Sequence, residues 1–576
     1  MQSNSDLASL FTTIADILDI RGENVFRVRA YRNAARTIEG LSEPIHELLA
    51  RDPAVLDQLP GIGKGLHDKI LEYCQHGALS EYAALKASVP PGLLAMLDLP
   101  ALGPKRVKLL YDTLGIDSID ALEQAAATGR VRALPGMGEK TEAKVLHGIR
   151  EYKTLHTERM PWSRAKLILD AYLAHLRGVP GVQQLAAAGS YRRGRETVGD
   201  LDILVTTHGD ARPIIQAFVN YPNVAEVLAQ GDTKASVIVQ EKIQTDLRVV
   251  DNASFGAALQ YFTGSKEHNV AIRARAKATG LKVSEYGVFR DETSIAGATE
   301  EEVYAALDLA WIPPELREQR GEIEAAADGT LPVLVTRADL QGDLHVHTKY
   351  SDGTASMAAM ARAAQARGYA YVAITDHSKS VTVAHGLDET AVLRQLDELA
   401  RVRAEVPGIR ILSGIEVDVL RDGTLDLADD VLAQLDFVIA TVHFHLELDA
   451  AAMTRRIVRA LQHPAVRCLA HPTGRRAGTR APFALDFTAM VAAARAHHVL
   501  LEINAAPERL DLDETHAGQA RRAGVPLVIN TDAHTLAEFD NIDNGLNSAR
   551  RAWCGAADIA NTWPIDRLLT WKTSAT

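Results

Sequence analysis

The sequence predicts a multidomain protein whose class changes along the chain, from all-helical, through α+β, to an α/β barrel-like domain. Three observations carry this. A Leu-Pro-x-x-Gly turn recurs at Leu59, Leu99 and Leu134, each time between helix-like segments. Two aspartates one residue apart, Asp200 and Asp202, open the apolar run Leu201–Val205. After residue 340, seven short apolar runs end in His, Asp or Glu and are separated mostly by Ala- and Arg-rich helical segments.

Bulk composition bounds the reading. A chain of 576 residues holds several domains, and 47% hydrophobic with 24% charged residues is ordinary for globular protein. Cys74, Cys468 and Cys554 lie far apart, which argues against a disulfide framework and for a reducing interior. No basic leader and no membrane-length apolar run is seen, so a cytoplasmic, nucleoid-associated protein without membrane contact is expected. A net charge of −12 requires any nucleic-acid contact to use local basic surface, because the nearby potential steers a polyanion.

Residues 1–85 read as short helices. Arg27, Arg29, Arg32 and Arg36 make one helix face basic. In the turns LPGIGKG and LPGMGEK, Gly61, Gly63, Gly136 and Gly138 free backbone N–H groups to face a phosphate at a helix start, with Lys64 beside them. The middle copy, LPALGPK in the segment 86–150, has Ala101 in place of the first glycine and is expected to be structural.

The stretch GSYRRGRETVGDLDILV follows. Period-two geometry puts Asp200 and Asp202 on one strand face, where they repel unless cations sit between them. Asp246, in the run TDLRVV, can complete the site from a neighbouring strand. Oxygen ligands of this kind suit Mg²⁺ or Mn²⁺ shared with a polyphosphate, and Arg192, Arg193 and Arg195 supply positive charge. Downstream, YFTGSKEHNVAIRARAK is a glycine turn leading into a basic helix. Pro313-Pro314 and the acidic run after it mark a linker over 318–339.

The seven later runs are DLHVH, YVAITDH, RILSGIEVD, DFVIATVHFH, RCLAHP, LLEINAA and PLVINTDAH. Polar groups at successive strand C-termini describe a barrel with its site on that face. His345 and His347, two apart on a strand, can share one ion. His385, His445, His498 and His516 fall outside the pattern.

These motifs resemble known families. GS-RRG followed by DxD and a strand-borne Asp resembles the palm of family X DNA polymerases, within the nucleotidyltransferase superfamily. The Leu-Pro turns resemble helix-hairpin-helix motifs, and HxH, SDG, TDH, GxE, VH, HP and TDAH resemble the PHP domain. The resemblance implies a palm over 151–250, a nucleotide-selecting thumb over 251–317 and a distorted (β/α)7 PHP barrel over 340–576. It implies that Asp200 and Asp202 hold both palm metals and that Asp246 binds the one that activates the primer 3′-hydroxyl. Ser190, Arg193 and Gly199 would serve the triphosphate side, Tyr261, Phe262 and Gly264 the deoxyribose, and Asn269 and Arg273 the minor groove. In the barrel it implies three ions of Zn²⁺, Mn²⁺ or Fe²⁺. His345, His347, Glu416 and Asp532 would hold the first. Glu416, His443 and His471 would hold the second, and Asp352, His377 and His534 the third. Lys69 is either a Schiff-base lysine for abasic sugars, with its pKa lowered by nearby arginines, or a backbone contact. The implied function is gap-filling repair synthesis on gapped or nicked DNA from dNTPs, with 3′–5′ exonuclease activity. A monomer that meets DNA-repair proteins is expected. The alternatives are a structural or small-molecule-phosphatase barrel, and a DNA-end-binding scaffold.

Overall fold

Phe11 and Tyr31 meet edge to face, with ring centroids 5.3 Å apart, where α1 (Asn4–Arg21) packs on α2 (Val25–Glu39). The structure is a computed structural model that describes residues 4–39, 45, 48–49, 55–76, 79–99, 102–156 and 159–572. It divides into two compact units, Met1–Thr157 and Glu158–Thr576.

In the first unit the three Leu-Pro turns fold alike. Ile62 N donates to Leu59 O, Leu102 N to Leu99 O and Met137 N to Leu134 O, at 3.1–3.3 Å. Gly63, Gly103 and Gly138 then accept the opening bonds of α3 (Lys64–His76), α4 (Pro104–Leu114) and α5 (Glu139–His156). Ile62, Leu102 and Met137 are buried and anchor each turn from below. Gly61 and Gly136 stay exposed at φ 82° and 74°, a region that favours glycine. The middle copy opens on Pro104, which has no N–H to offer; the Ala101 argument lies outside the described residues. One core runs from Leu7 to Ile149, so the segments 1–85 and 86–150, expected as two domains, share it. The basic face of α2 is smaller than expected. Arg27 pairs with Glu81 and Glu23, and Arg32 with Asp16 and Asp19.

The second unit opens with a five-stranded sheet. Its strands are β1 (Val182–Ala187), β2 (Asp200–Thr207), β3 (Val224–Gln230), β4 (Lys234–Val239) and β5 (Gln244–Val250), in the order β1-β2-β5-β4-β3. Leu201, Ile203 and Val205 pack with Leu169, Tyr172 and Phe218 of the covering helices. Burying those alternate residues turns Asp200 and Asp202 to the opposite face. Between β1 and β2 the chain makes one short helix, α6 (Gly189–Arg192).

Helices α7 (Phe255–Thr263) and α8 (Lys266–Ala278) lead to the three-stranded sheet β6 (Leu281–Ser284), β7 (Gly287–Arg290) and β8 (Thr293–Ala296), and to α9 (Glu300–Ala305). The segment expected as a linker, 318–339, is instead built into this thumb-like core. Its helix α10 (Glu322–Ala327) buries Ile323 and Ala326, and the buried Glu322 takes a 2.7 Å bond from His268. Polar composition misled here because the buried Glu322 is satisfied by His268 and by the backbone N–H groups of Gln319 and Arg320, while Glu324 and Asp328 stay exposed.

Seven parallel strands follow in sequence order: β9 (Gly342–Val346), β10 (Tyr371–Ile374), β11 (Arg410–Asp418), β12 (Phe437–Thr441), β13 (Val466–Leu469), β14 (Leu500–Asn504) and β15 (Leu527–Asn530). A parallel bridge between Val346 and Ala533 brings the last strand beside the first, so the barrel is nearly closed. The sheet and barrel modules meet across a seam. Arg475 makes a bidentate pair with Glu196 at 3.0 and 2.8 Å, and a barrel helix places Arg551 against Glu318.

The thumb is held to the sheet by one carboxylate. Glu300 accepts from Arg192 twice and from the fully buried Arg317, each at 2.7 Å, and from Trp311 Nε1 at 3.0 Å. Arg192 is thereby committed to structure and is not a triphosphate group. Burial opposes a charged Glu300, but Arg317 and Arg192 outweigh it and hold the carboxyl at about 2. A depressed carboxyl contributes stability above its unfolded pKa and loses it as pH falls towards the folded value. Glu300→Gln is expected to cost about 3 kcal/mol at pH 7, with the difference from wild type shrinking between about pH 4.5 and pH 2. Urea denaturation followed by intrinsic fluorescence across that range measures it.

Candidate active sites in the palm and the barrel mouth

Asp202 stands opposite Asp246 across the parallel β2–β5 pair, and Asp200 lies one residue away on the same face. Burial, with Asp200 and Asp246 beside it, pushes Asp202 up to about 7; burial and Asp246 raise Asp200 as well. Carboxylates crowded so that the ionisation of Asp200 and Asp202 is disfavoured fit a cation. Gly189 makes the approach possible: a Cβ there, at φ 65°, would stand 2.5 Å from Asp202 Oδ2. Asp200 and Asp202 line a cleft of about 940 Å³ with Ser190, Arg193, Arg195, Tyr261, Phe262, Gly264 and Arg273, and Asp246 stands beside Asp202 on the next strand.

Several expected residues stand differently. Gly199 does not line this cleft; it joins two strands. Asn269 lines it, but its amide is already engaged, accepting from Gln260 and donating to Tyr261 O at 2.8 and 2.7 Å. These two bonds fix the orientation of the amide and leave one N–H and one oxygen lone pair unused by them. Arg193 donates to Glu318 at 3.0 Å and to Thr263 O at 2.5 Å, so it is already oriented. Glu318, which the sequence reading passed over, sits in the cleft wall. In the first unit, Lys69 bonds Glu81. Partial burial pulls the amine down, yet Glu81 and Tyr31 outweigh it and leave the amine above its ordinary value. The expected lowering by arginines fails because Arg27 and Arg32 are neutralised by their own acids. Gly61, Gly63, Lys64, Gly136 and Gly138 are exposed at the hairpin tips.

At the barrel mouth all nine singled-out side chains converge. His345, His347 and Asp532 form one group, His347, Asp352, His377 and His534 a second, and His377, Glu416 and His443 a third, each with ligand atoms within 4.8 Å. The grouping differs from the expected one. His347 and His377 each stand between two groups, because the strand ends crowd the rings to centroid distances of 4.1–4.4 Å. His471 lies outside these groups and reaches Glu416 Oε1 at 3.1 Å. Burial with His534 and His377 pushes His347 down to about 3, and burial with Arg509 pushes His471 to about 4, so both present neutral lone pairs. Burial opposes a charged Glu416 and a charged Asp532, but neighbouring histidines outweigh it and keep both ionised. The fit to cations rests on orphaned atoms. His345 Nε2, both nitrogens of His347, His377 Nδ1 and Glu416 Oε2 are buried without a well-aligned hydrogen bond, although His377 Nδ1 lies 2.8 Å from Glu416 Oε2 and His347 Nε2 lies 3.0 Å from Asp532 Oδ1. Each such atom costs about 1–3 kcal/mol unless something fills its lone pair. Mixed imidazole and carboxylate donors suit divalent transition metals.

Behind the ligands stand residues the sequence reading did not use. His345 Nδ1 donates to the buried Glu502 at 2.7 Å, which turns Nε2 to the mouth, and Glu502 also takes the His471 N–H at 2.8 Å. Asp418 holds His443 Nδ1 at 3.2 Å. The signal was present, since Asp418 and Glu416 share a strand face two apart. Arg476, Arg480 and Arg509, from separated loops, line the barrel cleft of about 760 Å³ together with the half-exposed Phe444. Among the histidines set aside, His516 pairs with Asp513 and His498 packs against Trp571.

Fold and sites together define a two-centre phosphoryl-transfer enzyme, with a carboxylate palm and a histidine-rich hydrolytic barrel. Family profiles agree: DNA polymerase beta palm over 159–254, DNA polymerase beta thumb over 258–318, helix-hairpin-helix domain over 2–79, SAM-like helix-hairpin-helix tandem over 93–151, and PHP domain over 343–479. The DNA polymerase/3′-5′ exonuclease PolX of Bacillus subtilis is 39% identical over 96% of this chain and 97% of its own. DNA polymerase lambda of Rattus norvegicus is 24% identical over 55% of this chain and 56% of its own. A probable phosphatase of Thermoanaerobacter is 28% identical over 38% of this chain and 89% of its own. The chain belongs to the family X DNA polymerases that carry a C-terminal PHP domain.

Glu502→Ala is expected to lower divalent-metal affinity at the barrel about 10- to 100-fold, by freeing the His345 ring, with palm binding unchanged. Calorimetric titration of apoprotein with Mn²⁺ measures both classes of site.

Proposed function

We propose that this chain extends DNA primers from dNTPs in its palm and removes 3′-terminal nucleotides in its barrel, filling short gaps during repair. The single observation that carries the first half is that Asp200 and Asp202 line the cleft beside the thumb residues, with Asp246 paired to Asp202 on the neighbouring strand. The second half rests on eight ligand-type residues that converge in three groups, with His471 against Glu416, and on buried unpartnered atoms of His345, His347, His377, Glu416 and His471. Mg²⁺ or Mn²⁺ in the palm, and Zn²⁺, Mn²⁺ or Fe²⁺ in the barrel, supply positive charge that steadies a phosphoryl group in transfer.

The chain's own residues do the rest. Ser190 and Arg193 meet the triphosphate, with Arg193 pre-aimed by Glu318 and Thr263. Tyr261, Phe262 and Gly264 give the sugar a wall, and the exposed Arg273 reaches the minor groove, where acceptors occur in every base pair. The hairpin tips at Gly61–Lys64 and Gly136–Gly138 hold DNA backbone without reading sequence. Lys69, protonated beside Glu81, is a backbone contact in this reading. Gapped or nicked DNA is the substrate, the protein acts as a monomer, and DNA-repair proteins are its partners. No helix among the described residues is long and apolar enough to cross a membrane.

The barrel reading favours a polynucleotide over a small phosphate because of the basic rim. Arg476, Arg480 and Arg509 surround a cleft that also offers an aromatic ring for a base.

On one-nucleotide-gapped DNA with Mn²⁺, Asp200→Ala/Asp202→Ala is expected to lower synthesis by more than about 10³-fold and leave degradation intact. His345→Ala/His347→Ala should do the reverse. Degradation that survives the histidine changes removes the nuclease assignment. Arg476→Ala/Arg480→Ala is expected to weaken single-stranded DNA degradation about tenfold, with a shallower salt dependence, while hydrolysis of bis-p-nitrophenyl phosphate is unchanged. Equal loss on both substrates favours a small-molecule phosphatase.

A further inference from the structure

The seam between the palm and the barrel ends at the nucleotide site. Helix α11 (Glu514–Arg522) and helix α12 (Ile542–Arg551) of the barrel present Glu514 and Arg551 there. Arg551 is almost fully buried, with its side chain 1% exposed. Its Nε and Nη2 donate to the two carboxylate oxygens of Glu514 at 2.7 and 2.8 Å, which locks the guanidinium plane. Its remaining nitrogen, Nη1, makes two bonds across the seam. One goes to Arg193 O at 2.8 Å and the other to Glu318 Oε1 at 3.0 Å.

That Glu318 oxygen is the one that accepts from Arg193 Nε at 3.0 Å. A single nitrogen of the barrel therefore grips both the backbone of Arg193 and the carboxylate that aims its side chain. A second clamp acts on the same turn, where Arg475 pairs with Glu196, three residues after Arg193. Burial opposes a charged Glu318, but Arg551 and Arg193 outweigh it and hold it ionised. Arg195, on the same turn as Arg193, stands 3.6 Å from the other Glu318 oxygen, so Arg551 is the cation at Glu318 that comes from outside that turn and can hold the carboxylate against its movement.

We infer that Arg551 of the PHP barrel is a positioning residue for nucleotide binding by the polymerase, acting through Glu318 on Arg193. Its burial keeps it from touching DNA or nucleotide itself. The barrel thus serves the palm as a template for its triphosphate arm, in addition to its own hydrolysis. The inference rests on the proposed role of Arg193 at the triphosphate.

Single-nucleotide insertion on gapped DNA by the full chain tests it. Arg551→Met is expected to raise KM for dNTP about tenfold with kcat changed little, while Mn²⁺-dependent degradation of single-stranded DNA stays at the wild-type rate. Arg551→Lys should recover part of the loss. Glu318→Gln should raise KM similarly, and the double variant Arg551→Met/Glu318→Gln should be no worse than either single one, because all three groups form one chain. If Arg551→Met does not fold by circular dichroism, Arg551→Lys and Glu318→Gln carry the same test through their KM. Unchanged KM in folded Arg551→Met, or additive effects in the double variant, overturns the inference. Arg193→Ala separates the two levels. If it leaves KM for dNTP unchanged, the proposed role of Arg193 fails; if it raises KM while Arg551→Met does not, only the inference fails.

Discussion

Ionisable groups crowded at two clefts are the constraint on which the rest of this structure depends. Asp200, Asp202 and Asp246 face one another at the palm, and buried imidazole and carboxylate lone pairs face one another at the barrel mouth. The protein is well able to neutralise carboxylates with arginine. It does so at Glu300, Glu318 and Glu514. Among the described residues no arginine pairs with Asp200, Asp202 or Asp246, and at the barrel mouth one does, Arg509 at 3.4 Å from Asp532. Sheet and barrel provide the stiffness that holds like charges together against their repulsion.

The arginines that close the other carboxylates also tie the modules into one piece. Arg192 and Arg317 join palm to thumb at Glu300, while Arg475 and Arg551 join palm to barrel. Each pair is buried or half-buried, where breaking one partner leaves a charge stranded. The turn carrying Arg193 is therefore bounded by thumb on one side and barrel on the other. Mutational effects on nucleotide binding can arise far from the nucleotide for this reason.

The amino-terminal unit works by different means. Its hairpins are held by buried Ile62, Leu102 and Met137, which leaves the glycine tips to face outward. Backbone amides at helix starts suit phosphates of any sequence, which agrees with a protein of net charge −12 that has little basic surface to spend.

Local pattern was enough to determine the succession of modules, the carboxylate pair on β2 and the nine ligand-type side chains that converge at the barrel mouth. Period-two alternation and residues at strand ends are written directly into the order of side chains. The same reading erred wherever a residue's role depends on a partner distant in sequence. Arg192 was assigned to phosphate but is taken by Glu300, 108 residues away. Lys69 keeps its proton beside Glu81, and the polar segment 318–339 is packed in the thumb. Glu502, Glu318 and Arg551 carried no motif at all. Charge can be counted along a chain, but whether it is free, paired or buried depends on which groups the fold brings within a few ångströms. Only the tertiary structure decided that.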